Sequence, residues 1–483
     1  MSDNDVAALN RELVDLPAAP IRIVHLGLGA FHRSHQAWYT QKAGDGTKWG
    51  IAAFTGRKPD AAVALAAQDG LFTLIERSAK GDSFELVGSI TQAVDGADVN
   101  RLRELVSSPE TAIVTLTITE AAYGLDSSGQ FDSKTPGFAS DLTTLAGLSK
   151  TGGSPKTPIG RLVLALAARK ETAAGPIAVI SCDNLSANGE VARRAITGLA
   201  EAWDKELASW IKTNVSFVST SVDRITPRTT DADISEVQSS CGYRDTSPVV
   251  AEPFHDWVLS GNFPKGRPRW EDAGAVIVDD IEPYENRKLW LLNGAHSLLA
   301  YAGQLRGHTT VAQALEDPLC RDAVETFWDE AAEHLGSDLN IPQYREALRA
   351  RFSNTQIAHH LSQIAADGST KLRMRALPVL TAERSHGRSG AASAMMLAVW
   401  IDYVSGQEKL QDPLSDAIRS AFEAHGPGHE RVSALLDLVS NGLGQDPQVV
   451  SLVDHLRGTF TQHRRATSSN PLENTHLISG RNS

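Results

Sequence analysis

The segment EPYENRKLWLLNGAH (residues 282–296) carries three side chains whose types and spacing suit proton transfer. Lys288 is followed by Asn293 after five residues and by His296 after three more. At ~100° per residue, all three fall within an arc of roughly 140° on a leucine-rich helix. A buried lysine has a lowered pKa and can accept the proton of a secondary alcohol, while amide donors stabilise the resulting alkoxide. The structural alternative is that Lys288 extends to solvent and His296 is a core histidine.

Two further polar pairs follow predicted strands, at the edge where open α/β sheets bind ligands. In VISCDNLSANG, Asn184 is a candidate second donor to the alkoxide, although Asp183 and Asn184 after a strand are also an ordinary helix-cap signal. In STSVDRITPRT, Asp223 and Arg224 either contact the ribose of a nicotinamide or pair with each other.

The stretch IRIVHLGLGAFHRSHQAWY predicts a dinucleotide-binding turn between a strand and a helix. Gly27 allows the tight turn and Gly29 lets the backbone approach a pyrophosphate at the helix N-terminus. His32 stands where the third glycine of this pattern usually lies. With His35 it could bind a metal, although no nearby carboxylate or cysteine completes a ligand set; otherwise both histidines cap or pack the first turn. Arg33 is a candidate phosphate contact.

The second predicted strand, WGIAAFTGRKP, ends without the acidic residue that binds the adenosine ribose in ordinary NAD sites. Arg57 and Lys58 follow instead, and an arginine at this place can accept the 2′-phosphate of NADP. Surface arginines after strands are frequent, so the sequence leaves NADP open beside NAD.

These residues require a sheet to position them, and the order of elements predicts one. Short apolar runs alternate with helical stretches in the first half, which is typical of a doubly wound parallel α/β sheet. Six strands are predicted: IRIVHLG, WGIAAFTG, LFTLIER, AIVTLTIT, IAVISCDN and VSFVST. From residue 282 onward helical periodicity dominates. We therefore expect a Rossmann-type domain over residues 1–281 and an α-helical domain over residues 282–483, with a loop from Gly147 and a loosely ordered tail from Ala466.

Composition restricts the class of protein. The chain of 483 residues is 41% hydrophobic and 22% charged, with a net charge of −12. A mixed acidic balance argues against nucleic-acid or anionic-membrane surfaces, and the three scattered cysteines argue against disulfides and a cysteine-built zinc site. The N-terminus lacks a signal-peptide pattern and no apolar run spans a bilayer. We expect a soluble cytoplasmic protein that acts on a small molecule.

Taken together, the segments resemble the mannitol dehydrogenase family of polyol-specific long-chain dehydrogenases. The matching segments, in family order from about residue 21 to 300, are GLGAFHRSHQA, TLTITEAAYGLD, SCDNLSANG, VDRITP, VVAEPFHDWVL and KLWLLNGAH. The resemblance implies an NAD-dependent oxidoreductase without zinc, a Rossmann-type domain followed by a mostly α-helical substrate domain, and a monomer or small homo-oligomer.

The same resemblance implies roles for individual residues. Lys288 would be the general base, Asn184 and Asn293 would bind the alkoxide oxygen, His296 would bind or orient the substrate, and Glu285 would relay the proton to solvent. The residues implied to line the cofactor site are Gly27, Gly29, Phe31, His32, Arg33 and Asp223.

The substrate class is the least determined part of the prediction. Family members use mannitol/fructose, arabinitol/xylulose, or the sugar-acid pairs mannonate/fructuronate and altronate/tagaturonate. Lys371, Arg373 and Arg375 in DGSTKLRMRALP could bind a carboxylate, but polyol members also carry basic residues there. Ala121, in TEAAYG, favours a polyol over a hexuronate, so we predict D-mannitol/D-fructose or D-arabinitol/D-xylulose as the substrate pair, with a hexuronate reductase as the alternative. A non-catalytic dinucleotide-binding protein would have no need of Lys288, Asn184 and Asn293 together.

Overall fold

The computed structural model describes residues 6–148 and 153–461. Contacts between residues divide the chain after Glu282 into two compact units, and each is described by itself. The predicted loop from Gly147 lies partly outside the described residues, and the predicted loose tail lies wholly outside them. Within the described ranges, no helix combines the length and the apolar character that a membrane span requires.

The N-terminal unit is built on an eight-stranded sheet. Its strands, in spatial order, are β11 (Val276–Val278), β10 (Asp256–Ser260), β8 (Val215–Asp223), β7 (Ile177–Ser181), β6 (Ile113–Leu116), β1 (Ile21–Leu26), β2 (Gly50–Phe54) and β5 (Ile90–Val94). The strands from β8 to β5 are parallel, whereas β10 is antiparallel to β8. Strand order reverses at β1, which lies between β2 and β6; the carboxyl ends of the strands beside such a switch point form a crevice.

Every residue of β2, β6 and β7 is buried, because helices cover both faces of the sheet. The N-terminal helices are Asp60–Ala66, Val99–Val106, Pro136–Ala146, Pro158–Lys170, Asn188–Trp203, Lys205–Asn214, Asp231–Cys241, and a continuous helix made of Ala30–His32, the π-helical Arg33–Ala37 and Trp38–Lys42. Short 3-10 turns cover Gly46–Lys48, Glu120–Tyr123 and Trp270–Ala273. The parallel, helix-covered sheet confirms the predicted fold class of this half.

One predicted strand belongs to a different sheet. The run LFTLIER forms β3 (Phe72–Ser78), which pairs antiparallel with β4 (Gly81–Val87) and parallel with β9 (Val249–Ala251). Two residues connect β3 to β4 in a tight hairpin, and Gly81, the first residue of β4, has a φ of +114°. A hairpin pairs neighbouring strands locally, which periodicity alone does not reveal.

The C-terminal unit is helical, as predicted. Its helices are Glu282–Arg287, the π-helical Lys288–Gly294, Ala295–Leu305, Val311–Glu316, Pro318–Ala332, Ile341–Phe352, Leu361–Ile364, Gly368–Arg375, Leu377–Ser385, Ala391–Ser405, Ser415–Ala424, His429–Val439 and Pro447–Leu456, with 3-10 turns at Ser337–Leu339 and Leu443–Gln445. Ala295–Leu305 packs against Pro318–Ala332 and Ala391–Ser405. All of its residues from Ala295 to Gly303 are buried, so it forms the centre of this unit.

Candidate active site

A cleft of about 460 Å³ opens at the carboxyl ends of β1, β2 and β6. Its lining includes Gly27 after β1, Thr55 to Arg57 after β2, and Thr117 to Thr119 after β6. This is the place beside the switch point where doubly wound sheets bind dinucleotides. The sequence motif and the cleft therefore coincide.

Gly27 is required by the geometry of the turn. Its φ is +112°, and a Cβ atom there would lie 2.1 Å from the carbonyl oxygen of Thr117. The N–H groups of Gly27 and Leu28 both donate to the Phe54 carbonyl, at 2.9 and 2.8 Å, which holds the turn against β2. Gly29 differs, because it is extended and a Cβ there would meet nothing closer than 3.6 Å. The turn thus fits a dinucleotide pyrophosphate, with Gly29 leaving the approach open.

His32 packs the helix against the sheet in place of the usual third glycine. It is fully buried, and its ring stacks on that of His25 at 3.3 Å and 6°. Its Nδ1 atom lies 3.2 Å from Oε1 of Gln36, while Nε2 has no hydrogen-bond partner among the described residues. Burial lowers the pKa of His25 and His35 to about 3 and that of His32 well below its ordinary value. The three rings are therefore neutral at pH 7.

The metal alternative for His32 and His35 gains no support from their surroundings. His35 Nε2 lies 3.1 Å from the carbonyl oxygen of Asp256, and its other ring nitrogen lies 3.1 Å from Gln36. Across residues 6–148 and 153–461, no group of three or more His, Cys, Asp or Glu side chains could hold a metal ion. The two histidines belong to the packing of the helix.

Phe31 and Arg33 support the glycine turn from the side. Phe31 is half-buried and stacks on His35 with ring centroids 5.0 Å apart. Arg33 donates from Nε to the Gly29 carbonyl at 3.3 Å and from NH1 to the Ser247 carbonyl. Burial lowers the pKa of Arg33 to about 10, opposed by the Asp245 carboxylate, so the guanidinium stays charged at neutral pH. Contact of either residue with a cofactor remains a prediction.

Asp183 organises the loop that carries Asn184. Its carboxylate accepts hydrogen bonds from the N–H groups of Ile118 and Thr119, at 3.0 and 2.8 Å, and from the hydroxyl of Tyr123 at 2.7 Å. Thr119 has a φ of +75°, a strained conformation that these bonds hold in place. Asp183 does not cap the next helix, so the helix-cap interpretation is wrong and Asn184 stands exposed beside this anchored loop.

Sequence reasoning missed Asn188 and most of the role of Arg224. The Asn188 side chain is fully buried, donates to the Asp183 and Thr220 carbonyls and accepts from the Thr220 N–H, which links the ends of β7 and β8. Arg224, next to the half-buried Asp223, donates to the Ser34 and Glu252 carbonyls and to Glu76 at 3.1 Å. Arg224 is therefore a buried residue whose hydrogen bonds connect separate segments of the chain. For Asn188, the one sequence signal was its place after a strand.

In the C-terminal unit, Lys288 begins the π-helical stretch that ends at Gly294. Lys288 is 8% exposed, and Glu285 lies three residues earlier in the preceding helix. A π-helix bonds residue i to residue i+5, so Lys288 and Asn293 stand one turn apart on the same side. The α-helical phase assumed for these residues is thus wrong, and a joint role for Lys288 and Asn293 stays a prediction.

The π-helical stretch is held by side chains from other helices. Trp328 Nε1 donates to the Leu291 carbonyl at 2.7 Å, and Arg375 donates to the Asn293 carbonyl at 3.1 Å. Gly294 lets the stretch approach its neighbour, because a Cβ there would lie 2.5 Å from the Phe327 ring. These contacts fix the position of Asn293.

His296 lies among cationic side chains. It is 7% exposed, and its ring contacts those of Phe352 and His359 at centroid distances of 4.7 and 4.8 Å. Within the described part of the chain its Nε2 atom has no hydrogen-bond partner. Burial lowers the pKa of His296 well below its ordinary value, and positive charge lowers it further; the contributing groups are His359, Arg351, Arg375 and Lys371. The neutral imidazole therefore sits in a strongly positive environment.

The three predicted substrate-binding cations do not lie on the same face of their helix. Arg375 also donates to the Ser297 hydroxyl at 2.9 Å, and Lys371 donates to the Ile364 carbonyl at 3.0 Å. Lys371 and Arg375 are four residues apart, so they share a helix face toward His296. Arg373 points to the opposite side, where it is exposed and donates to the Val439 carbonyl at 2.8 Å. The structure brings two of the three cations to His296, with Arg351 and His359, which the sequence did not indicate.

A Rossmann-type unit with a dinucleotide-shaped turn, followed by a helical unit with a buried lysine, a buried histidine and a half-buried asparagine, defines an oxidoreductase of the long-chain dehydrogenase class. The mannitol dehydrogenase Rossmann domain matches residues 21–272, and the mannitol dehydrogenase C-terminal domain matches residues 280–457. The chain belongs to the mannitol dehydrogenase family, which confirms the resemblance drawn from its motifs.

Relatives span nearly the whole chain. It is 37% identical to the D-mannonate oxidoreductase of Escherichia coli, over 91% of this chain and 93% of that one. It is 36% identical to the mannitol 2-dehydrogenase of Cereibacter sphaeroides, over 83% and 84%. The solved mannitol 2-dehydrogenase of Pseudomonas fluorescens, a ternary complex with NAD and D-mannitol, has a TM-score of 0.74 at 32% identity and covers 95% of this chain and 99% of its own.

Proposed function

We propose that this oxidoreductase is a metal-independent, nicotinamide-dinucleotide-linked dehydrogenase that interconverts a secondary alcohol and a ketone on a sugar-derived substrate. Bound in the N-terminal cleft, the oxidised nicotinamide would accept the hydride from the carbinol carbon. The turn at Gly27, the open approach at Gly29 and the cleft beside β1 and β2 support dinucleotide binding. The NAD complex of the solved relative supports the same cofactor class.

Lys288 is the proposed general base. In alcohol oxidation the hydroxyl proton moves to the Nζ atom of Lys288, and Glu285 passes it on toward solvent. The amides of Asn184 and Asn293 donate to the oxygen that becomes negatively charged. The side chain of Lys288 is buried, and the contacts of Trp328 and Arg375 to the π-helical backbone keep Asn293 in place. A fixed backbone at Asn293 reduces the reorganisation that positioning its amide requires during the reaction.

The observation that decides our choice of substrate is the positive charge around His296. The positive charges of Arg351, Lys371 and Arg375 contribute to lowering the pKa of the buried His296, and such a group of cations favours an anionic ligand. We therefore favour a sugar acid and its keto form, of the D-mannonate/D-fructuronate type. The similarity to a D-mannonate oxidoreductase supports this choice.

A neutral polyol, D-mannitol/D-fructose or D-arabinitol/D-xylulose, is the second candidate. It is favoured by Ala121 and by the D-mannitol complex of the solved relative. Ala121 lines the cofactor cleft of the N-terminal unit, so the residue type at this position affects the shape of the cleft wall.

A kinetic assay at 340 nm distinguishes the two candidates. Fructuronate, tagaturonate, fructose and xylulose are each tested with NADH and NADPH, with and without a chelator. We expect turnover of a uronate, unchanged by the chelator. Turnover of neutral ketoses alone would establish the polyol function, and loss of turnover with chelator would contradict metal independence.

A pair of variants on one helix sharpens the assignment. Lys371→Gln removes a cation that faces His296, and we expect the KM for the uronate to rise about 10-fold or more, because a charge-assisted contact is lost. Arg373→Gln is the matched control, since this arginine lies on the opposite face and should leave KM unchanged. Equal effects of both changes would show that general surface charge, rather than a carboxylate site, causes the rise.

A further inference from the structure

The adenosine end of the cofactor cleft carries cationic side chains where an acidic one is usual. β2 ends at Phe54 and is followed by Thr55, Gly56 and Arg57, all of which line the cleft. In NAD sites this position holds an aspartate or glutamate that accepts from the ribose hydroxyls. Among the described residues that line the cleft there is no carboxylate, whereas Arg57, Lys156 and Arg161 all line it.

Arg57, Lys156 and Arg161 form a cationic cluster, in which Arg161 is held in place by hydrogen bonds to two loops. Its NH1 atom donates to the Gly56 carbonyl at 3.1 Å and its Nε atom to the Pro155 carbonyl at 3.3 Å. Gly96 permits this position, because a Cβ there would lie 2.8 Å from NH1 of Arg161. The guanidinium thus joins the loop after β2 to the loop before the helix Pro158–Lys170, and it places a fixed positive charge beside Gly56.

Arg57 and Lys156 extend from these two loops. Both side chains are exposed, and within the described ranges neither forms an ion pair. The Lys156 loop is rigid, since the Asp141 carboxylate accepts from the N–H groups of Lys156 and Thr157 at 2.7 and 2.9 Å. No atom lies within 4 Å of a Cβ built on Gly56, so the space between the two loops is open.

The nearby carboxylates are engaged elsewhere. Asp141 is fully buried and also accepts from the Thr157 hydroxyl at 2.6 Å. Asp95 accepts from the Ala97 N–H at 2.9 Å, and Asp60 is an exposed residue at the start of a helix that does not line the cleft. No carboxylate is among the described residues that line the cleft, although Asp141 and Asp95 act electrostatically on Arg161 from outside that lining.

We propose that this cluster binds the 2′-phosphate of an adenosine ribose, so that the chain prefers NADP(H) to NAD(H). The inference rests on the proposed function, because it concerns the cofactor of the same reaction. Arg57 is the specificity-determining residue, Lys156 adds a second mobile charge, and Arg161 supplies the fixed one. The dianionic phosphate would be bound mainly by charge-assisted hydrogen bonds. This preference separates the chain from the solved relative, which is a complex with NAD.

Calorimetry on the full-length protein tests the proposal without turnover. The two probes are 2′,5′-ADP and 5′-AMP, which differ by the 2′-phosphate alone. We expect 2′,5′-ADP to bind at least about 10-fold more tightly, and Arg57→Ala to weaken it by about 10- to 100-fold while leaving 5′-AMP unchanged. Lys58→Ala is the matched control, because Lys58 is adjacent and exposed but does not line the cleft. It should leave both affinities unchanged.

The possible outcomes are distinguishable. Equal affinity for the two probes would overturn the 2′-phosphate site while leaving the dinucleotide cleft intact. Loss of 2′,5′-ADP binding in Lys58→Ala but not in Arg57→Ala would overturn the assignment of Arg57. Failure of both probes and of NADH to bind would contradict the proposed function itself. Direct titration with NADPH and NADH, followed by nicotinamide fluorescence, should reproduce the order found with the fragments.

Discussion

The glycine turn and the surroundings of His296 both contain buried histidines, but the neighbours of these histidines differ. Around the glycine turn, His32 stacks on His25 and contacts Gln36, and all of these residues lie within one short stretch of chain and its strand. Around His296 the neighbours come from two separate segments: 351–359, with Arg351 and His359, and the helix Gly368–Arg375, with Lys371 and Arg375. The contrast teaches that buried histidines with similar pKa shifts can have very different neighbours, and our proposal of an anionic substrate rests on the cations near His296.

The two regions also share a feature. Each contains a π-helical stretch, Arg33–Ala37 in one and Lys288–Gly294 in the other. Such stretches are rare in proteins as a whole, but those that occur are often found at functional sites. In the first, the side chains from Ser34 to Ala37 are all buried; in the second, the carbonyls of Leu291 and Asn293 accept from Trp328 and Arg375. The first is stabilised mainly by packing and the second by specific hydrogen bonds.

The largest difference that we expect between the two regions is in acid, which should destabilise the N-terminal unit more than the C-terminal unit. The folded pKa values of His25, His32 and His35 are lowered, so only the unfolded chain binds protons there below about pH 6.5. Their contribution is complete above pH 6.5 and is lost as the pH falls toward about 3. At pH 5 His25 and His35 each cost about 2 kcal/mol, and the lowered pKa of His32 adds to this cost, whereas the C-terminal unit has the lowered pKa of His296 to set against these three histidines.

Hydrogen exchange followed by mass spectrometry at pH 7 and pH 5 measures this difference region by region. After correction for intrinsic exchange rates, peptides from β1 and the helix that follows it should lose more protection than peptides from Ala295–Leu305. An equal loss in both units would contradict the prediction.

The next largest effect should follow from Lys288→Ala. We expect kcat to fall by about 10²-fold or more, because the general base is removed, while NADH affinity stays near normal. Lys288→Arg should be as inactive as Lys288→Ala, since arginine keeps the positive charge but cannot release a proton at neutral pH. Steady-state kinetics and NADH fluorescence titration give both quantities. Recovery of turnover in the arginine variant would assign Lys288 to charge alone.

The smallest effect concerns the glycine turn. Gly27→Ala should lower the free energy of unfolding by about 2–3 kcal/mol, because the new Cβ meets the Thr117 carbonyl and φ is positive. Gly29→Ala should change it by less than about 1 kcal/mol, since its φ is ordinary and its surroundings are open, while still weakening the binding of a pyrophosphate. Urea unfolding and NADH titration of both variants check this. Equal destabilisation would show that the two glycines have the same role.

The sequence by itself determined the fold class, the family, and the contiguous groups: Gly27 with Gly29, and Lys288 with Asn293. These are readable because the residues of one turn or one helical stretch are neighbours along the chain, and their spacing carries the geometry. An α-helix would set Lys288 and Asn293 about 140° apart, and the π-helical stretch, in which residue i bonds to residue i+5, brings them closer together.

The tertiary structure decided everything that depends on residues distant in sequence. It placed β3 in a separate sheet, used Asp183 to hold the loop after β6, turned Arg373 away from His296, and brought Arg351 and His359 to it. It also brought Arg161 to Gly56, more than a hundred positions earlier in the chain. Side-chain direction and long-range packing are set by which faces the folded elements bury, and a single sequence does not encode that locally.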